Sequence, residues 1–206
     1  QHSQQYFSAM RIDHVLGFFR IWEIPDGNVD GLKGHFSPSM PLTENEIGYY
    51  GLTFHRDVYT RPIINDRIID RIFGIHANYV REQYLNHKAY DLYDLKPECD
   101  TQKKICQLFG GRNDESSLWI RDGLCRLAAN VLFVTDSKDA TLYHPRVNAF
   151  NTTAYQLLSP EDRDAFMRLY NNYYYERHNA LWEFKGRQRL SMILNNCSML
   201  TCAEDL

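Results

Sequence analysis

Apolar positions in this chain form short strand-like runs at its two ends and recur at helical spacing between them. Tyr6 to Ile12 is a compact apolar run that ends on Arg11, Asp13 and His14 in quick succession. Val15 to Ile24 is a dense apolar and aromatic segment closed by Pro25. Residues 26–62 are rich in glycine and proline and predict irregular loop with short turns. Asp66 to Phe73 carries apolar residues at 68, 69, 72 and 73, a helical spacing that Gly74 ends. Residues 79–85 fit neither period. Thr101 to Phe109 predicts a helix capped by Thr101 and stopped by Gly110 and Gly111. Another helix is expected over residues 115–130, followed by a short strand at Val131 to Val134.

The clearest helical pattern begins at Ser159. Ser159 caps it, Pro160 sits in the first turn, and Glu161 and Asp162 suit the positive end of the helix dipole. One broad apolar face then runs from Phe166 to Trp182. A further helix is expected over Gln188 to Leu194. The final run, Ser198 to Leu206, is small and apolar until Glu204 and Asp205. Two parallel strands joined this way would form a βαβ connection far longer than a crossover needs, so the surplus implies an inserted subdomain. The expected division is 1–44 for the first strand and its loop, 45–155 for a mainly helical insertion, and 156–206 for the closing helices and strand.

With 206 residues, 44% of them hydrophobic, the chain can bury a core. A net charge of −3 without a basic block gives nothing to draw it to nucleic acid or acidic lipid. The five cysteines, an odd number without CxxC spacing, argue against a disulfide framework and a zinc site. No apolar run approaches ~18 residues and no charged-then-apolar leader precedes one, so neither a membrane span nor a signal peptide is expected, and the cytoplasm is the default. The acidic pairs lack calcium-loop spacing, and no metal or organic cofactor is expected. Fourteen tyrosines suit a sugar-binding surface or an ordinary core. The abrupt ends suggest a piece of a longer protein.

Asp13 and Glu204 each follow the C-terminal end of an expected strand, where catalytic groups project in a (β/α)8 barrel. Neighbouring strands lie ~4.8 Å apart, so two carboxylates at one level would approach the ~5 Å that retaining glycoside chemistry requires. The competing reading is a pair of solvated strand-end charges. Arg11 shares a strand face with Asp13 and would hold it ionised, as suits a nucleophile. Glu204 has only small neighbours, Cys202 and Ala203, and no charge partner in its own segment. His14 could bond a sugar hydroxyl or serve as a structural donor. Phe18, Phe19 and Trp22 could stack on sugar rings, or pack the segment against its scaffold.

Two segments carry a resemblance. "MRIDHVLGFFRIWEIP" resembles the nucleophile segment of the 4-α-glucanotransferases of glycoside hydrolase family 77, and "CAEDL" resembles their acid/base segment. "ECDTQKKI", "FNTTAYQLL" and "LYNNYYYERHNALW" resemble the large insertion of the type-2 disproportionating branch and its return to the barrel. The resemblance implies an α/β fold: part of a (β/α)8 TIM barrel, two parallel strands carrying a large helical insertion. It implies Asp13 as nucleophile and Glu204 as general acid/base, with Arg11 and His14 at the positions flanking the nucleophile as substrate contacts; Trp22, from the residues alone, is the further candidate contact. The resemblance further implies transfer between α-1,4-glucans such as maltose, maltooligosaccharides and a glycogen-like acceptor. The family's third essential aspartate has no counterpart here, so these residues alone are expected to be silent. For the insertion, the alternatives are a wall on the acceptor side, a homodimer contact, or a non-catalytic module that holds glycan or docks a partner.

Overall fold

The computed structural model describes residues 2–205. In chain order it holds β1 (Ala9–Ile12), β2 (Ile21–Glu23), β3 (His35–Ser37), α1 (Glu44–Tyr49), α2 (Arg56–Tyr59), α3 (Asp66–Phe73), α4 (Ala77–Tyr84), β4 (Leu85–Ala89) and β5 (Leu92–Leu95). There follow α5 (Gln102–Leu108), α6 (Glu115–Ala128), β6 (Phe133–Thr135), β7 (Tyr143–Pro145), α7 (Thr153–Gln156), α8 (Pro160–Tyr175), α9 (Asn179–Asn195) and β8 (Leu200–Ala203). It is a mixed α/β structure in which the first and last strands pair in parallel, while β2–β3, β4–β5 and β6–β7 are antiparallel ribbons. No helix among the described residues is long and apolar enough to cross a membrane. The chain separates into two compact units: Gln1–Glu23, His35–Met40 and Tyr170–Leu206 in one, Ile24–Gly34 and Pro41–Leu169 in the other.

The larger unit is built on an apolar cluster shared by α3, α4, α5 and α6, with Ile68, Ile69, Phe73, Val80, Ile105, Leu124 and Leu127 buried together. Asn65 caps α3 by accepting the Ile68 N–H, and Arg81 of α4 grips Asp66 and Asp70 of α3 at 2.7 and 2.6 Å. These bonds fix the angle between two short helices that could not hold themselves in water. A second, aromatic cluster surrounds the β6–β7 ribbon, where Phe54 and Phe166 pack edge-on against Phe133.

In the smaller unit Phe36 of β3 is the hub. Trp22 and Trp182 stand edge-on to it at 5.0 and 4.8 Å, and Arg20 lies over both Phe36 and Trp182. The Trp182 indole donates to the Pro38 carbonyl at 2.8 Å, so the ring is satisfied as well as buried.

Several expectations change. The first strand covers only Ala9–Ile12; before it the chain makes a single-turn 3-10 helix, and Tyr6 and Phe7 are exposed. The expected loop over 26–62 contains β3, α1 and α2. Thr43 and Glu46 close a reciprocal capping box on α1, a signal visible in "TENE" that the surrounding glycines and prolines obscured. The undecided stretch 79–85 finishes α4 and enters β4, and the β4–β5 hairpin turns at Tyr90, whose φ is 51°. The short strand expected at Val131 to Val134 runs instead over Phe133–Thr135. The long helix expected from Ser159 through Trp182 is two helices, and the one expected at Gln188 to Leu194 is the end of α9. The break comes at His178: its Nδ1 lies 2.8 Å from the Tyr173 carbonyl and its ring stacks on Trp182 at 4.9 Å. The Arg177 N–H reaches five residues back to Asn172, which closes α8 before α9 can continue it.

Two predictions follow from this packing. A Cβ on Gly123 of α6 would lie 2.3 Å from the Phe73 ring. Gly123→Ala therefore should overpack the α3–α6 contact and cost about 1–3 kcal/mol in urea unfolding, despite alanine's better helix propensity. Burial pushes the His178 imidazole from its ordinary 6.5 down to about 4. The folded chain keeps this ring neutral while the unfolded chain protonates it below 6.5, so its contribution is complete above 6.5 and is lost as pH falls toward 4. Melting temperature should drop between about pH 7 and pH 4, and His178→Gln should flatten that part of the curve.

Candidate active site

The parallel pairing of β1 with β8 sets the level of every side chain at this end of the smaller unit. Ala9 faces Leu200, Met10 faces Thr201, Arg11 faces Cys202 and Ile12 faces Ala203. The next residues out are Asp13 and Glu204. The Glu204 N–H donates to the Ile12 carbonyl at 2.9 Å, and the Glu204 carbonyl accepts the Val15 N–H at 2.9 Å. The backbone of Glu204, just past the end of β8, thus straddles Asp13 and His14. His14 takes the left-handed conformation, φ 49° and ψ 62°, which turns the chain sharply off the strand into the single-turn helix Val15–Phe18. That conformation costs a residue with a Cβ roughly 1–2 kcal/mol, and here the two flanking backbone bonds impose it.

Arg11, Asp13 and Glu204 come together. The Arg11 Nη2 donates to Glu204 Oε2 at 2.6 Å and to Asp13 Oδ1 at 3.4 Å. The two carboxyl oxygens on that shared nitrogen can be no farther apart than the two arms combined, about 6 Å. The carboxyl of Glu204 is raised above its ordinary range, first by a hydrogen bond with Asp13 and then by desolvation. Two carboxyls this close oppose each other's ionisation, which is the first cause of the raised Glu204 carboxyl. Glu204 is also the most enclosed of the three side chains, 31% exposed against 66% for Arg11 and 82% for Asp13.

Within its own segment Glu204 has no charge partner, but the neighbouring strand supplies one. Arg11 faces Cys202, and Glu204 lies two residues beyond Cys202 on the same face, so the guanidinium reaches across the ladder. Its shorter bond is therefore to Glu204 and its longer one to Asp13, the residue expected as its first partner.

His14 adjoins the pair through the chain and keeps its ring near Gly17, where an added Cβ would fall 3.1 Å from it. Trp22 lies on another sheet, with its ring packed edge-on against Phe36. Phe19 lies against Gly186 of α9, where a Cβ would meet its ring at 3.3 Å. Arg189 of the same helix donates to the Phe18 carbonyl at 2.6 Å. Gly186 and Arg189 thus hold the loop that leaves Asp13. Neither stands out in the sequence, because their partners are distant in the chain and their spacing in α9 is unremarkable. The last residue of "CAEDL", Leu206, lies outside the described residues.

Comparison with known proteins identifies the family. The family description "4-alpha-glucanotransferase", glycoside hydrolase family 77, matches residues 1–206. A 4-alpha-glucanotransferase DPE2 of Oryza sativa subsp. japonica is 37% identical over 208 residues, covering 98% of this chain and 22% of the rice protein. A 4-alpha-glucanotransferase of Haemophilus influenzae is 50% identical over 36 residues, covering 16% of this chain and 5% of its own. No solved structure matches. The chain thus spans about a fifth of the rice relative's length. With its whole length matched and both charged strand ends meeting on one guanidinium, the chain belongs to the 4-alpha-glucanotransferases of glycoside hydrolase family 77.

Proposed function

We propose that these residues carry two catalytic carboxylates of a retaining 4-α-glucanotransferase that moves glucosyl or maltooligosaccharide units between α-1,4-glucans. The observation that supports it best is the Arg11-bridged pair at the ends of two adjacent parallel strands. In this reading β1 and β8 are neighbouring strands of a (β/α)8 barrel, and the segment between them carries a mainly helical insertion. Asp13, the exposed member, attacks the anomeric carbon and forms the covalent glycosyl ester. Glu204, which keeps its proton, delivers it to the departing O4. The 4-hydroxyl of a second glucan then enters, Glu204 takes its proton, and the new glycosidic bond forms with release of Asp13. Two inversions at one carbon retain the α configuration. Arg11 positions both carboxylates and compensates the charge that Asp13 regains when the ester opens.

Transfer rather than hydrolysis requires that an acceptor sugar be oriented where water would otherwise attack. Maltose and maltooligosaccharides are the donors in this reading, and a glycogen-like polysaccharide is the acceptor. His14, turned off the strand beside Asp13, is placed to bond a sugar hydroxyl. Trp22, packed on Phe36, would serve mainly to stiffen the neighbouring ribbon.

In the full-length protein, Asp13→Asn should reduce glucose release from maltose by roughly a thousandfold or more with an unchanged melting curve, because charge is lost but volume is kept. Retained transfer would remove Asp13 as nucleophile. In carbon-13 NMR the Glu204 carboxyl should titrate above 4.5, and Asp13→Ala should bring it down toward that value. The basic limb of the kcat/KM profile should follow this same group, and a Glu204 that titrates below 4.5 in the unaltered protein would contradict its role as the acid.

A further inference from the structure

In the larger unit, the packing of α5 on α6 brings two thiols together. Gln102 of α5 is buried, and its amide is fixed at both ends. Its oxygen accepts the Val29 and Asp30 N–H groups at 2.9 and 3.2 Å. Its nitrogen donates to Asp30 Oδ2 at 2.7 Å and to the Cys125 carbonyl of α6 at 3.3 Å. Cys106 lies one turn after Gln102, on the same face of α5. The bond from Gln102 to Cys125 therefore sets Cys106 against Cys125, and the two thiols lie within hydrogen-bonding reach of each other.

Both thiols are half-buried and line one open cleft of about 360 Å3, so a small reagent can reach the pair. Cys99 of the same unit differs. It is buried and donates its S–H to the Tyr84 carbonyl at 3.4 Å, the setting of a structural thiol. Where two thiols adjoin at an opening, a mixed disulfide formed on one is attacked by the other at an effective concentration no free thiol matches. We propose that Cys106 and Cys125 are a modification site, closing to a reversible disulfide by exchange with a small disulfide of the oxidised-glutathione class.

The exchange starts at Cys106, because ionisation of the Cys125 thiol is opposed by burial first and then by the charge and hydrogen bond of Cys106. Cys106 Sγ attacks one sulfur of the small disulfide and its proton leaves with the released thiol. With Cys106 now neutral and without its S–H, two of the causes that oppose Cys125 ionisation are gone. Cys125 Sγ then attacks Cys106 Sγ and expels the second small thiol, which takes the Cys125 proton. Two protein thiols lose two electrons, and one small disulfide is reduced to two thiols. The product ties α5 to α6 across the cleft.

Peptide mapping of the full-length protein tests this, after incubation with oxidised glutathione at about 1 mM, acid quenching, unfolding and alkylation of the remaining thiols. The expected product joins the Cys106 and Cys125 peptides, and dithiothreitol returns it to two separately alkylated peptides. In Cys125→Ser the joined peptide should disappear and Cys106 should stop at the glutathione adduct; a melting curve checks that the variant is folded. A glutathione adduct that persists on Cys106 or Cys125 of the unaltered protein overturns the proposal. So does full alkylation of both residues, or the joining of either to another cysteine in preference. Asp13 and Glu204 take no part in the exchange, so failure here leaves the catalytic reading intact.

Discussion

The backbone of one residue, Glu204, sets the geometry of this site. Its N–H and C=O bond to Ile12 and Val15 on either side of Asp13, and this pair of 2.9 Å bonds brings two charged strand ends to one level. Shift the β1–β8 register by a single residue and Glu204 would turn to the opposite face, because side chains alternate with period two. Arg11 would then have one carboxylate instead of two. The shared guanidinium, the raised Glu204 carboxyl and the left-handed turn at His14 all depend on that register.

The sheet that fixes it is narrow and largely exposed, two strands of four residues each, and such a ladder has little stability of its own. Its support comes from α9. Arg189 ties down the Phe18 carbonyl, Gly186 admits the Phe19 ring against the helix backbone, and farther back Trp182 joins the aromatic cluster around Phe36. The same cluster explains the break between α8 and α9. Burying His178 beside Trp182 with its Nδ1 on Tyr173 is incompatible with one uninterrupted helix, so an apolar face that reads as continuous in sequence divides at that residue.

The larger unit is held differently, by an apolar cluster among four short helices and by paired charges such as Arg81 with Asp66 and Asp70.

The sequence by itself determined the helices with strong caps and spacing, α3, α5, α6 and the start of α8, because those signals are local. It also singled out the two charged strand ends and the motifs around Asp13 and Glu204. It left the β4–β5 hairpin, α1 and α2 unread, since turns and single short helices depend on contacts made elsewhere. Only the tertiary structure decided that Arg11 bonds Glu204 more closely than Asp13, that Trp22 packs on Phe36, and that Gly186 and Arg189 brace the loop after Asp13. The reason is the same in each case: periodicity assigns a residue to a face, whereas its partner across that face is chosen by strand register and helix packing between segments far apart in the chain.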